Sequence, residues 1–548
     1  MKILWLDINS SYSHSSLALP ALHAQIMNTP LDNMTEWKVV RGTIKSEMSE
    51  LLEQIDSYNP DIIFSTLWLF THDFVMALHT RIKALCPNSV TVMGGPEFLG
   101  DNQEFLLRNR GVDAVFRGEG EEFLPSWLPI WNEKEHWREV RGLCFMENDI
   151  YVDGGRAVVA NFSSLRFPEE SPFFVTDKSF VQLETTRGCF NSCQFCVSGA
   201  DKPVRSLSIE QIRSRLQFFA SKGIKSIRML DRTFNGNSRR CIEMLDLMNE
   251  FHGRLTFHLE VHPSLLRDEL RIKLASMPTG LLHLEAGIQS LHQEVLDECT
   301  RNGNVDTALS GLTFLFTLSE KMETHTDLIA GLPLYTYDCI VSDVKTLVEM
   351  NAGEVQLETL KVLPGTEMRR RASMLGLRYS NMPPYEILST PHISYALLRR
   401  AMLLSRLLDV YFNHSVLRKL FREIVLWSET SLEECIDFFS KKGEQLFSIS
   451  LETQARMLYS FIEHSLPELK HKMQEMWIEH GLNLNNLPEV VSVLPMQSFL
   501  DAEYADMSQK ERGRMRCYKV CTKQGEWIIV YDRGISQNKP VRIIKPNM

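Results

Sequence analysis

Three of the eleven cysteines in this 548-residue chain, Cys189, Cys193 and Cys196, fall within one short stretch. The spacing C-x3-C-x2-C brings three thiolates close enough to hold three irons of a 4Fe–4S cluster, leaving the fourth iron without a protein ligand. An open iron is a place for chemistry, whereas a four-cysteine cluster would mainly carry electrons. Two other readings of these residues stand beside this one. Three cysteines with a distant histidine can bind zinc, and cysteines also gather simply as small buried residues. A zinc knuckle usually brings a second ligand pair at short spacing, and none follows nearby. Just upstream, Phe180 to Thr185 reads as a strand, and Gly188 permits a sharp turn. The cysteines are therefore expected on a loop at a strand's carboxyl end, where α/β folds carry their sites.

The elements that must position this loop are strands alternating with helices. From Phe180 to about residue 378 strands are expected near Val181, Ile227, Leu255, Leu281, Thr324 and Glu354, which makes six βα units. Six are too few for a complete eight-stranded barrel. The same alternation runs from residue 1 to about 135, with strands near Lys2, Ile62, Val90 and Ala114. It predicts a doubly wound parallel sheet with its ligand site at the strand ends. Two glycine turns, Gly94-Gly95-Pro96 and Gly118-Glu119-Gly120-Glu121, sit at such ends and allow close backbone approach to a ligand. Between the two regions lies a connector with a hairpin-type turn at Tyr151–Arg156 and a proline-rich stretch from Pro168 to Pro172.

At the cysteines, with the aromatic Phe195 before the last of them, the chain resembles the radical S-adenosylmethionine (SAM) superfamily. The resemblance continues at Asp231 with Phe234, at Glu285-x-Gly287-Ile288-Gln289-Ser290, at Arg301, at Asp327–Pro333 and at Pro364-Gly365-Thr366. It implies a partial (β/α)6 barrel and a 4Fe–4S cluster whose open iron chelates the amino and carboxylate groups of SAM. Reductive cleavage there releases a 5′-deoxyadenosyl radical that abstracts hydrogen from a substrate. It also implies SAM contacts from Phe195, Asp231, Glu285, Gln289 and Arg301. Carboxylates suit the ligand's hydroxyls and cationic groups, Gln289 can donate and accept, and Arg301 can pair a carboxylate bidentately. Asp231 capping the next helix and Arg301 bridging a surface acid are the plainer alternatives.

The segments Pro60–Thr66, Val92–Glu97 and Gly111–Glu121 together look like the cobalamin-binding domain that precedes the barrel in one large subfamily of these enzymes. That resemblance implies corrinoid contacts from Ser10, Ser11, Tyr12, Thr66, Leu67, Trp68, Gly94, Gly95, Pro96, Gly118, Glu119, Gly120 and Glu121. The better-known fingerprint Asp-x-His-x-x-Gly is absent, so cobalamin is expected base-off without a histidine below the cobalt. Trp68 can fill that face without donating a ligand, because indole offers no lone pair. His72 is the rival for the position.

Composition bounds the rest. The net charge of −10 and ordinary apolar content fit a globular protein and argue against a large nucleic-acid footprint. An odd number of mostly scattered cysteines fits a reducing, cytoplasmic compartment. The start, Met1 to Asp7, reads as a first strand rather than a signal peptide, and no apolar run reaches membrane-spanning length. From about 386 the pattern becomes helical, with apolar stripes that read as core, and ends in a small β tail in which Cys517 and Cys521, at C-x3-C, could be half of a second metal site; no further cysteine follows, so they read as two buried thiols.

The expected organisation is α/β. A Rossmann-like domain covers 1–135, a connector 136–175, the partial barrel 176–385, and a mainly helical extension 386–548. The expected activity is an anaerobic, cobalamin-dependent methyl transfer to an unactivated carbon of a small or lipid-like substrate. Its electron donor would be of the flavodoxin or ferredoxin kind. A non-methylating rearrangement, cyclisation or oxidation is the first alternative, and an iron–sulfur electron carrier or sensor the second.

Overall fold

The structure is a computed structural model and describes residues 1–11, 16–199, 201–442, 449–535 and 539–545. Tyr12 lies outside the described residues. The chain divides into two compact units, Met1–Cys339 with Thr359–Leu398, and Ile340–Glu358 with Arg399–Met548.

The first unit contains a seven-stranded sheet of β1 (Lys2–Asn9), β2 (Glu36–Thr43), β3 (Ile62–Thr66), β4 (Val90–Gly94), β5 (Ala114–Phe116), β6 (Leu143–Glu147) and β7 (Ile150–Asp153), ordered β2-β1-β3-β4-β5-β6-β7. The pairings are parallel up to β5, and β6 and β7 add antiparallel. Successive strand residues face opposite sides, so each face builds its own core. Ile3, Trp5, Ile62 and Phe64 pack with Phe123 and Trp127 on one side. Leu4, Leu6, Ile63 and Met93 pack with Leu51, Ile55 and Leu78 on the other. β3, buried at every position, is the central strand such a sheet requires.

Two features depart from the reading of the sequence. β2 and the helix Met48–Tyr58 went unnoticed, because β2 is an edge strand with only three fully buried positions. The hairpin of the expected connector turns at Asn148-Asp149, both with positive φ, and not at Gly154-Gly155; its two strands extend the N-terminal sheet.

The second sheet uses β8 (Val181–Leu183), beside a short antiparallel pair β9 (Thr186–Arg187) and β10 (Arg205–Ser206), followed by β11 (Ser226–Met229), β12 (Thr256–Val261), β13 (Leu282–Gln289), β14 (Glu323–Ala330) and β15 (Glu354–Thr359). The order β8-β11-β12-β13-β14-β15 gives six strands, the complement of the expected partial barrel. β13 alternates buried and half-buried residues along its length, which leaves one face for polar side chains. A last small pair joins β16 (Arg378–Tyr379) to β17 (Ile387–Ser389).

The second unit is mainly helical, with helices Arg418–Val425, Ser431–Lys442, Leu451–Ser465 and Lys470–Glu479. The last two of these helices are separated at Pro467. The four-stranded tail sheet orders β18 (Val490–Pro495), β19 (Met515–Thr522), β20 (Gly525–Asp532) and β21 (Arg542–Ile544). Cys517 is buried and Cys521 half-buried on β19. Four residues along one strand span about 13 Å, too far for the pair to share a metal. Among the described residues no helix is long and apolar enough to cross a membrane.

Candidate functional site

The cysteine loop leaves the carboxyl end of β8 and is pinned there by Asp231, which follows β11. The buried Asp231 carboxylate accepts hydrogen bonds from Thr185 N (2.7 Å), Thr186 N (3.0 Å) and the Thr185 hydroxyl. Burial pushes the Asp231 carboxyl up, against these bonds, which pull it down. Gly188 has φ +90°, and a Cβ there would run into the Asp201 carbonyl at 2.5 Å, so the turn into the cysteines needs glycine. Gln194 ties the middle of the loop down. Its N–H donates to the Cys299 carbonyl (3.0 Å), and its side-chain amide donates to Thr300 Oγ1 (2.7 Å) and the Glu298 carbonyl (3.0 Å). Cys299, outside the motif, thus lends its backbone while its thiol is buried.

The three thiols interact electrostatically with one another. Asn191 N donates to Cys189 Sγ and Arg301 Nη1 to Cys193 Sγ, each at 3.4 Å. Burial pushes the Cys193 and Cys196 thiols up, while Arg301 pulls Cys193 down. Iron would displace those thiol protons, and three converging sulfurs beside a guanidinium suit a cluster carrying thiolate charge.

The structure places the expected SAM residues unequally. Phe195 lies half-buried on the loop. Gln289 ends β13 with φ +75°, and a Cβ on Gly287 would meet its amide at 2.6 Å. Arg301 Nη2 donates to the Gly287 carbonyl at 2.5 Å, so this guanidinium joins the cysteine loop to β13. Asp231 is engaged by the loop backbone. The Glu285 Oε2 atom lies 2.9 Å from His258 Nε2 and 3.1 Å from His325 Nε2. Burial raises the Glu285 carboxyl, but its hydrogen bonds with the two imidazoles outweigh burial and leave it below the usual range.

Sequence reasoning missed Glu260 and gave Asp327 no role of its own. Burial pushes Glu260 up to about 7, against the charge of Arg232. Burial also raises Asp327, helped by the charge of Glu285. The signal was available: His258 and Glu260, His283 and Glu285, Glu323, His325 and Asp327 all fall at alternating strand positions, which puts them on one face.

In the first sheet, strand order β2-β1-β3-β4-β5 reverses direction between β1 and β3, and a ligand crevice is expected at that point. A cavity of about 500 Å³ lies there. Ser10, Thr66, Trp68, Gly94, Gly95, Gly118 and Gly120 line it from the sheet, and Gln182, Leu230 and Arg232 line it from the barrel. A Cβ on Gly94 would meet nothing within 4 Å. The mainly apolar wall and exposed backbone suit a large, flat group held by shape.

Leu67 instead packs into the sheet core, with its N–H on the Gly94 carbonyl (2.8 Å), and Pro96 starts a short helical turn; neither lines the cavity. Ser11 is also outside the lining. Glu119 and Glu121 turn toward the barrel. Arg205 binds Glu119 at 2.5 and 2.9 Å, while Arg187 pairs with Glu121 and with Glu184 (2.9 Å). These pairs tie the glycine turn to the strand that feeds the cysteines. His72 is not among the lining residues, and its Nδ1 holds Asp73 at 2.9 Å.

Comparison with known proteins matches residues 183–347 to the radical SAM superfamily, 23–127 to the B12 binding domain and 374–510 to a family of proteins of unknown function, DUF4080. An uncharacterized methyltransferase of Pyrococcus horikoshii is 26% identical over 38% of this chain and 47% of its own length. The cobalamin-dependent radical SAM methyltransferase TokK of Streptomyces tokunonensis is 23% identical over 58% of this chain and 50% of its own. The matches thus span about half the length of these curated relatives. In fold the chain is similar to the cobalamin-dependent radical SAM enzyme OxsB, with a TM-score of 0.61 and 14% identity over 85% of this chain and 80% of that one. It is also similar to the radical SAM methyltransferase TsrM of Kitasatospora setae, with a TM-score of 0.55 and 16% identity over 73% and 85%. The chain therefore joins a B12-binding domain to a radical SAM domain, and these domains carry cobalamin, a 4Fe–4S cluster and SAM as their cofactors.

Proposed function

We propose that this chain is a cobalamin-dependent radical SAM methyltransferase that alkylates an unactivated carbon. The observation that carries the reading is the cavity at the sheet's reversal point, lined at once by glycine backbone of the B12-binding domain and by Gln182, Leu230 and Arg232 of the barrel. Bound together, the cofactors supply a radical that removes hydrogen from the substrate and a methyl group to replace it. The chain's own residues hold and orient them. Cys189, Cys193 and Cys196 would ligate the cluster, and Arg301 balances its charge. Phe195 and Gln289, on the loop and at the end of β13, would contact SAM. Asp231 would act through the loop backbone rather than on the ligand. Trp68, Gly94 and Gly95 would bound the corrinoid, and Glu119 and Glu121 would hold its domain to the barrel. A low-potential electron carrier such as flavodoxin or ferredoxin would reduce the cluster. All eleven cysteines are free, which fits the reducing cytoplasm and an anaerobic reaction.

The test is the product pattern from SAM. Anaerobically reconstituted, cobalamin-loaded protein given reductant and methyl-labelled SAM should yield both 5′-deoxyadenosine and S-adenosylhomocysteine, with label in the corrinoid fraction. Deoxyadenosine alone would overturn methyl transfer in favour of a rearrangement, cyclisation or oxidation.

A further inference from the structure

A second donor cluster stands on β12 to β14 rather than on the cysteine loop. His258 on β12, Glu285 on β13 and His325 on β14 each offer one ligand atom, and these atoms lie within 4.8 Å of one another. Glu285 pairs directly with His325 in the sheet register, so neighbouring strands aim the groups at a common point. The separations from Glu285 Oε2, 2.9 and 3.1 Å, are hydrogen-bond lengths and also the edges between ligands at right angles about 2.0–2.2 Å from a first-row metal ion.

One choice of tautomers among the surrounding imidazoles leaves a ligand atom on His325. His283 Nδ1 lies 3.2 Å from the Glu323 carboxylate, and His283 Nε2 lies 3.3 Å from His325 Nδ1. With neutral imidazoles, the form that ligates metal, Nδ1–H of His283 donates to Glu323 and its Nε2 accepts from Nδ1–H of His325. In that tautomer the Nε2 lone pair of His325 faces Glu285 Oε2, so a cation between them would take the place of the proton that otherwise makes this imidazole–carboxylate hydrogen bond. His325 has the polar partner on its far nitrogen that metal-bound histidines have. On the same face, two residues beyond His325, Asp327 keeps Oδ1 buried without a hydrogen-bond partner, a further anionic donor.

We infer that the barrel holds one divalent first-row transition-metal ion, ligated by His258 Nε2, Glu285 Oε2 and His325 Nε2, separate from the cysteine cluster. Two imidazoles and a carboxylate suit zinc or ferrous iron. The ion would fix the register of three adjacent strands, and it assigns Glu285 to metal rather than to SAM. The inference stands whether or not the chain transfers methyl groups.

The probe is Zn2+, which outcompetes iron at such donors. Full-length protein, reconstituted with iron and sulfide, is exposed to Zn2+ and gel-filtered, then metals are counted and the zinc edge is measured by X-ray absorption. About one zinc per chain is expected, with nitrogen and oxygen neighbours only. His258→Ala and His325→Ala should each lower retained zinc by roughly tenfold or more, with iron per chain unchanged. His325→Gln, a milder change, should do the same if the alanine variants lose iron through misfolding. Parent protein retaining under roughly a tenth of an equivalent, sulfur in the zinc shell, or zinc undiminished in folded histidine variants would each overturn the site.

Discussion

The parallel strands of the first unit, β1–β5 in one sheet and β8 with β11–β14 in the other, carry opposite chemistry at the same strand ends. The N-terminal sheet is buried on both faces, so its cavity is bounded by apolar side chains and glycine backbone, with Glu119 and Glu121 turned away toward the barrel. The barrel sheet alternates along β12 to β14 and keeps ionisable groups on one face. A large corrinoid can be held by shape, and replacing one glycine should remove it. A cluster and a charged sulfonium ligand need fixed charge and donor atoms, so their site should fail through single polar substitutions.

The largest effect is expected at the donors. Cys189→Ala, Cys193→Ala and Cys196→Ala should each lose most of the iron after reconstitution, whereas Cys299→Ser and Cys339→Ser should keep it; iron and sulfide analysis decides. Next comes the shape-held side. Gly94→Leu should abolish cobalamin uptake yet leave iron per chain unchanged, because its side chain enters open space at the cavity wall. Gly95 is a poorer probe than its position suggests. Its φ is +111°, and a Cβ there would strike the Leu67 carbonyl at 2.8 Å, so substitution strains the backbone rather than filling the cavity. Loss of cluster in Gly94→Leu would mean that the two sites are not separable.

Asp231→Asn should destabilise the first unit by about 1–3 kcal/mol in denaturant titration, because one amide oxygen cannot serve three donors in a buried place. The clamp between the sheets should show in pH. Burial raises Glu119, but the bonds from Arg205 and Val159 N and the charge of Arg187 outweigh it and leave the carboxyl below its ordinary value of 4.5. Its contribution to stability is therefore fully present above 4.5 and lost as pH falls through the lowered value. Glu119→Gln should cost about 1–2 kcal/mol at pH 7 and show a flatter decline in acid, read from unfolding midpoints across pH. An unchanged slope would remove Glu119 from the clamp. The smallest effect is expected at His72. His72→Ala should leave the electron paramagnetic resonance spectrum of the cob(II)alamin-loaded protein unaltered, and loss of nitrogen splitting in that variant would make His72 a cobalt ligand.

Much of this was legible in the sequence because it is local. The cysteine spacing, the glycine turns and the apolar strands each declare themselves within a dozen residues. What stayed hidden depends on contacts across the chain. Asp231 looked like a ligand contact or a helix cap, but its partners are Thr185 and Thr186, 46 and 45 positions away. Glu121 belonged to a ligand turn by motif, yet its partner Arg187 lies 66 positions on. β2 escaped because an edge strand need not be apolar. The barrel histidines were visible singly, and only strand register shows that they converge.

The function proposed for this chain depends on a cluster, held by the cysteine loop, that cleaves SAM. Release of 5′-deoxyadenosine from SAM by reduced, anaerobically reconstituted protein tests it most directly. Deoxyadenosine is expected from the parent and none from Cys196→Ala. A cluster that takes up an electron, verified by its paramagnetic signal, while SAM stays intact would contradict it and leave an iron–sulfur carrier or sensor.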